Sequence, residues 1–404
     1  MRRRITTAAC CLWLIQSAFA VDVATEAEWR SAVAARETPI VFVASDITLT
    51  DDLVIDYSCA LYSDDTQTAV CIDCNDNSVI LRDAVYNVGR ADFPQRIRFM
   101  HGGSAGCVSV QSVNAATEAS FWHTDFWFAD SGNGLSTRSG DYVLTVTCND
   151  CEASYNYADG FNAHNFIGTN APHSLTLCDC IATGNDLEAT GSPNGDGATC
   201  HDSNQVLTIE GGAYTNNGKY GIVAVGGCSV SITGGVAINN ATVTTTATDL
   251  YVNGGGSVDY AGLTAKRVRA VAGEWRLTAG RVLTWLRIDG GAAVTAEGFG
   301  FQWAGTRLTG FWGDWGRLDV PCYDSASAGR LEAVTVTMPP RPGDSDGDND
   351  LDLADWAAFQ PCMTAPGNSI EPACSWAQFD DDIDLDLADA AAFQRAYVWR
   401  LPDR

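Results

Sequence analysis

Asp150-Cys-Glu-Ala-Ser-Tyr-Asn156 returns as Asp179-Cys-Ile-Ala-Thr-Gly-Asn185, and Gly211-Gly-Ala-Tyr-Thr-Asn-Asn217 returns as Gly234-Gly-Val-Ala-Ile-Asn-Asn240. A short apolar-alternating run leads each copy: Leu144-Thr-Val146, Leu175-Thr-Leu177, Leu207-Thr-Ile209 and Val230-Ser-Ile232. The copies follow one another every 23 to 32 residues. Three short strands and three turns fill that length, so each repeat reads as one coil of a right-handed parallel β-helix. The closing asparagines then stack at one turn as a hydrogen-bonded ladder. Val258-Asp-Tyr260, Trp275-Arg-Leu277 and Val294-Thr-Ala296 predict tighter coils later in the chain. A β-sandwich or a propeller is the competing all-β reading, and unequal repeat lengths fit it less well.

The coil pattern runs over most of residues 21–320. Ahead of it, Thr25-Glu-Ala-Glu28 forms a capping box that opens a helix through about Arg36. Together these features resemble the pectate-lyase-like β-helix superfamily. That resemblance implies fold more than chemistry, because unrelated activities share one scaffold.

Aligning the coils on Gly134, Gly160, Gly197 and Gly221 places the next strands side by side: Leu135-Ser-Thr-Arg138, Phe161-Asn-Ala-His164, Ala198-Thr-Cys-His201 and Ile222-Val-Ala-Val225. Strand alternation sends Leu135, Phe161, Ala198 and Ile222 inward. It sends Ser136, Asn162, Thr199 and Val223 outward, with Arg138, His164, His201 and Val225 in a second outward column. Asn133, Asp159, Asp196 and Tyr220 precede the glycines. Two adjacent coils thus carry Asp-Gly-x-x-x-His. Stacked carboxylates about 4.8 Å apart cannot both ionise freely, so one pKa rises. Such a pair suits acid/base cleavage of a glycosidic bond, and a shared cation would suit elimination from a uronate. Asp159, Asp196, His164 and His201 are therefore the candidate catalytic residues, with Asn162, Arg138 and Lys219 as candidate substrate contacts. Asp202 follows His201 and, by alternation, points away from it. The insertion at 187–194 would wall one side of a groove. The competing reading is that Asp-Gly only builds a turn and the histidines only pave a surface. The polygalacturonase signatures are absent. Asp159-Gly-Phe161, a second Asp-rich turn and Lys219 resemble lyases that use a calcium cluster and a lysine base.

The last sixty residues repeat a second phrase. Leu351-Asp-Leu-Ala-Asp355-Trp-Ala-Ala-Phe-Gln360 returns as Leu385-Asp-Leu-Ala-Asp389-Ala-Ala-Ala-Phe-Gln394. With Asp344 as loop position 1, carboxylates fall at positions 1, 3, 5, 9 and 12, the EF-hand spacing for Ca²⁺. The unit resembles a type I dockerin, a calcium-dependent module that docks polysaccharide-degrading enzymes onto cohesin-type partners. The resemblance carries metal-ligand roles to Asp344, Asp346, Asp348, Asp350 (through its carbonyl), Asp352 and Asp355. In the shorter second loop it carries them to Asp382, Asp384, Asp386 and Asp389. That loop lacks the turn glycine and has Gln378 at position 1. Cys362 and Cys374 lie between the repeats, where they could clamp the connection.

Arg2-Arg-Arg4, an apolar run and Ala18-Phe-Ala20 predict a signal peptide over residues 1–20. The expected organisation is then a parallel β-helix domain at 21–338, a Pro-rich linker at 339–343 and a dockerin at 344–398. The protein is expected to be secreted or attached to a cell surface, with no membrane span. A net charge of −26 disfavours nucleic acid and anionic membrane as partners. It also repels polyuronates unless calcium or a local basic patch intervenes. Only Lys219 and Lys266 supply lysine. Cys148/Cys151 and Cys178/Cys180 read as stacked disulfides or buried thiols rather than as zinc ligands. The aromatic clusters at 299–303 and 311–315 read as the cap of the last coil. The expected function is polysaccharide cleavage by a lyase or glycosidase; the alternative is a non-catalytic carbohydrate-binding or surface-structural β-helix tethered by its dockerin.

Overall fold

The computed structural model describes residues 20–398, apart from 65–68, 167–168, 187–194, 241–247, 255, 305–306, 312–316, 325–329, 336–344, 346–352, 364–373, 375–376 and 378–384. The chain divides into two units at Val334/Thr335. The signal-peptide reading, the linker, the wall at 187–194 and Asp344, Asp346, Asp348, Asp350, Asp352, Asp382 and Asp384 lie outside the described residues.

From Cys59–Ser63 to Ser229–Ile232 each strand pairs in parallel with the strand three places earlier and three places later. Leu144–Asn149, His173–Cys178, Gln205–Glu210 and Ser229–Ile232 belong to one ladder. Glu152–Ser154, Ile181–Thr183, Ala213–Thr215 and Val236–Ile238 belong to a second. Leu135–Ser139, Phe161–Asn165, Ala198–Cys200, Ile222–Val225 and Leu250–Asn253 belong to a third. Three ladders built by one chain turning repeatedly are compatible with a parallel β-helix. The predicted register holds: Leu135 pairs with Phe161, Phe161 with Ala198 and Ala198 with Ile222, all fully buried.

Asn156, Asn185, Asn217 and Asn240 form the expected ladder. Each Nδ2 donates to the next Oδ1 at 2.9, 2.8 and 2.9 Å, and Asn240 donates to Asp249 at 3.0 Å. The ladder therefore ends on a buried carboxylate, which Arg267 pairs at 3.0 Å. Asn185 also accepts the Asn156 backbone N–H and donates to the Ala153 carbonyl. Asn185→Ala strands these groups inside the coil, so it should cost about 2–4 kcal/mol, given about 1–3 kcal/mol for an orphaned buried polar group. Urea unfolding checks this, and a loss below about 1 kcal/mol would mean the ladder is incidental.

The capping box forms as expected. Thr25 caps helix α1 (Glu26–Ala34), and its Trp29 is buried edge-on against Phe42, 5.0 Å between ring centroids. At the other end the coils do tighten. Val258–Tyr260, Thr264–Ala265 and Val268–Ala270 join the three ladders in succession within one unbroken strand, Ser257–Ala304. Near its end Arg307–Phe311 pairs antiparallel with both Phe299–Ala304 and Arg317–Pro321, and Cys322–Asp324 then pairs in parallel with Leu286–Ile288. The paired cysteines of the coils are thiols: Cys74, Cys107, Cys148, Cys151, Cys180, Cys200 and Cys228 are buried and unbridged.

In the smaller unit the duplicated phrase starts a helix in both copies, α2 (Leu353–Phe359) and α3 (Leu387–Val398). Phe359, Ala377, Leu385, Ala390 and Phe393 make its core. Cys362 and Cys374 form the expected disulfide. Among the described residues no helix is long and apolar enough to cross a membrane.

Candidate active site on the third ladder

The third ladder brings the candidate side chains onto neighbouring coils, but in two layers. The first layer lies at the start of the strands. Asn133 Oδ1 accepts the Asp159 backbone N–H at 3.0 Å, Asp159 Oδ1 accepts that of Asp196 at 3.0 Å, and Asp196 Oδ1 accepts that of Tyr220 at 2.9 Å. These side chains therefore form a second ladder, beside the asparagine one. Asn162 donates to Asp159 Oδ2 at 2.6 Å. Asp159 and Asp196 are only 5% and 4% exposed. Burial raises the pKa of both, and the neighbouring Asp159 carboxylate pushes Asp196 further up. Lys219 works against both shifts.

The two carboxylates thus sit on adjacent coils and repel each other, as the sequence implies. Both oxygens of Asp159 are bonded within this layer, and Asp196 bonds the Tyr220 N–H through Oδ1. The column read as outward (Ser136, Asn162, Thr199 and Val223) is also buried, which corrects its reading as an exposed face. Alternation sets the direction of a side chain but does not say what covers it.

The second layer lies at the strand ends and is accessible. Arg82 pairs in register with Gln111, Gln111 with Arg138, and Arg138 with His164. His201, one residue beyond Cys200, continues the column, since Ala163 pairs with Cys200. The His164 and His201 rings stack with centroids 4.9 Å apart and planes 19° apart. His164 Nδ1 faces two acceptors, Asp202 Oδ2 at 2.8 Å and the Asn165 carbonyl at 3.0 Å. In the neutral ring Nδ1 therefore carries the proton, which leaves Nε2 as the basic position. Asp202 is itself held by the Asn165 backbone N–H at 2.8 Å. Its expected orientation is right with respect to His201 and incomplete otherwise: it turns back to the preceding coil and orients His164. Burial, then the adjacent His164, lowers the His201 pKa to about 4, so that ring is neutral at physiological pH.

Sequence reading missed the neighbours of this column. Tyr220 and Tyr251 stack at 4.7 Å and 7°. Lys219 Nζ lies 5.1 Å from the Tyr220 ring centre, and the Arg269 guanidinium 5.6 Å from that of Tyr251. Tyr220 was visible as the residue before Gly221. Tyr251 carried no signal because the segment before it, 241–247, breaks the repeat spacing. His173, which lacks repeat support, is buried under the site. Its Nε2 lies 2.9 Å from Thr137 Oγ1, which donates to the Asn162 carbonyl. Burial drops its pKa to about 3, so it acts as a neutral packing residue.

Arg138 and Lys219 bring cationic charge to this part of a strongly acidic chain, beside the neutral His201 ring, while Arg269 is ion-paired with Asp289 at 2.8 Å. Such a surface can hold an anionic sugar and remove a proton from it. Among the described residues no group of three or more His, Cys, Asp or Glu side chains is arranged to hold a metal ion. Comparison of the chain with family models, with curated proteins and with solved structures finds no significant match.

Proposed function

We propose that this chain is a secreted carbohydrate-active protein that cleaves an acidic polysaccharide by β-elimination. The observation that carries the reading is the His164 imidazole, oriented by Asp202 and stacked on His201, with Arg138 next to it in the column. In such a reaction His164 Nε2 takes the proton α to a uronate carboxylate. Arg138 and Lys219 offset the charge that develops on the carboxylate, and electrostatic stabilisation of this kind is commonly the largest contribution to the rate. The electron pair forms the new C=C bond as the glycosidic C–O bond breaks, and the departing oxygen collects a proton from water. Elimination is favoured over hydrolysis because Asp159 is bonded through both oxygens and Asp196 is likewise buried, so the pair is poorly placed to attack or protonate a sugar. That same buried ladder favours the alternative, a non-catalytic binding β-helix.

A polysaccharide panel discriminates between these readings. The purified chain should convert at least one polyuronate into products with the ultraviolet absorbance of an unsaturated uronate. New reducing ends without that absorbance would select a hydrolase, and binding without cleavage would select the non-catalytic reading.

The C-terminal unit is proposed to be a calcium-binding dockerin for a cohesin-type partner. Asp355, at loop position 12, is fully buried and accepts the Ser345 backbone N–H at 2.6 Å and the Ser345 hydroxyl at 3.1 Å. Asp389 is equally buried and accepts the Asp386 N–H at 3.1 Å. The carboxylate at the start of each helix thus folds back towards its loop, which fits the closing ligand of a Ca²⁺ site. Asp344, Asp346, Asp348, Asp350, Asp352 and Asp355 would hold the ion. Its role would be to neutralise them and fix the loop.

A further inference from the structure

The accessible column at the strand ends has a charge pattern of its own. Arg82, Gln111, Arg138 and His164 follow one another in register, one per coil. Neighbours along the stack are about 4.8 Å apart. The order is cation, neutral amide, cation, imidazole. Arg82 and Arg138 are therefore separated by two coil spacings, about 10 Å.

These two arginines stand apart from others in the chain. The net charge is −26, and elsewhere arginines find carboxylates. Arg96 and Arg98 share Asp125 at 2.6 and 3.2 Å, Arg267 pairs with Asp249 at 3.0 Å, and Arg287 with Asp289 at 2.7 Å. Among the described residues Arg82 and Arg138 have no carboxylate partner. The Arg82 guanidinium is oriented all the same, because its Nε donates to Gln111 Oε1 at 3.1 Å. Both terminal nitrogens remain for a ligand, and a planar fork of this kind matches a carboxylate.

Gln111 offers a carboxylate nothing. It is 7% exposed, and its Nε2 donates to Ser109 Oγ at 3.0 Å. A carboxylate held above this coil would lose water without gaining a cation.

A pyranose in an extended glycan is about as long as one coil spacing, so a glycan laid along the column meets one coil per sugar. The scissile uronate lies at Arg138 and His164, a placement that rests on the elimination reading. The next sugar lies over Gln111 and the one after it over Arg82. We propose that the substrate alternates a uronate with an uncharged sugar, and that Arg82 binds the carboxylate two sugars away from the scissile uronate. A homopolyuronate puts a carboxylate over Gln111 as well and is the poorer ligand.

Titration calorimetry and ultraviolet assays of the full chain test this. The alternating probes are octasaccharides of hyaluronan, of unsulfated chondroitin and of a rhamnogalacturonan backbone. The homopolymer probes are octasaccharides of polygalacturonate and polymannuronate. At least one alternating probe should bind tenfold or more tighter than either homopolymer. Arg82→Gln should weaken that binding tenfold or more and raise KM. It should leave kcat and the melting temperature unchanged, because its side chain lies three coils from His164. A homopolyuronate converted to unsaturated products as fast as the alternating probes overturns the alternation and leaves elimination standing. Binding of an alternating probe that depends on Arg82 but gives no unsaturated product keeps the alternation and defeats elimination instead. Equal affinity for the two classes, no binding of any alternating probe, or unchanged affinity in Arg82→Gln overturns the inference.

Discussion

Asp344→Ala and Asp355→Ala should each abolish the calcium-dependent folding of the C-terminal unit. Five carboxylates at the EF-hand spacing in one loop repel each other without a cation, and the unit's core is only a handful of side chains around Phe359 and Phe393. Binding free energy then becomes folding free energy. At calcium a hundredfold above its dissociation constant the gain is about 2.7 kcal/mol, a large fraction of what so small a core supplies. Asp355 adds a second penalty: without it the Ser345 N–H loses its acceptor inside the fold. Circular dichroism and thermal melts with calcium or with a chelator measure the effect. Asp380→Ala, in the shortened second loop, should matter less. Equal losses from Asp344→Ala and Asp380→Ala would contradict the view that the first loop dominates.

His164→Gln should lower turnover by about 10²–10⁴-fold, the range for removing a general base. Asp202→Asn should cost at least about 10²-fold, because Nδ1 loses its carboxylate and Nε2 its fixed lone pair. Asp202 is a positioning residue, so its loss should also move the pH–rate profile, and a purely structural role would not.

The buried aspartates should behave in the opposite way. The folded-state pKa of Asp196 lies well above the ordinary 3.8, so the native state holds its proton more tightly than the unfolded chain does. The stability this provides is complete below pH 3.8 and is lost as the pH rises through the folded value. Asp196→Asn removes that loss, so it should raise stability at neutral pH, by an increment that grows as the pH rises above 3.8. Turnover should stay within a few-fold. Urea unfolding across the pH range, alongside assays on an acidic polysaccharide, separates these effects. A 10²-fold loss of turnover in Asp196→Asn with stability unchanged would restore the paired carboxylates as the acid and base, and with them the hydrolytic reading.

The contrast between these two layers shows how far the residue order reaches. Register was legible because it depends on period alone. Inward residues recur once per coil, so aligning four glycines was enough to pair Arg138 with His164 and Asp159 with Asp196. The asparagine ladder was legible for the same reason, and so was the capping box on Thr25, which needs only residues three apart. Alternation around His201 also sent Asp202 correctly away from it. The ring that Asp202 would meet instead belongs to the preceding coil, 38 residues back in the chain.

The sequence by itself therefore determined a stack of coils with a duplicated acidic tail, and it named the residues that share each column. Only the tertiary structure decided which of those residues reach solvent. Asp159 and Asp196 became a buried ladder because the turn directs a neighbouring backbone N–H at one oxygen of each, and burial then raised their pKa values. His164 became the candidate base because Asp202 and the Asn165 carbonyl both face Nδ1. Arg82 escaped the sequence reading altogether, because its coil lies ahead of the four glycines that set the alignment. A repeating chain specifies its neighbours through period. Exposure, charge state and ion pairing arise from atoms of different coils meeting, and no local pattern encodes that.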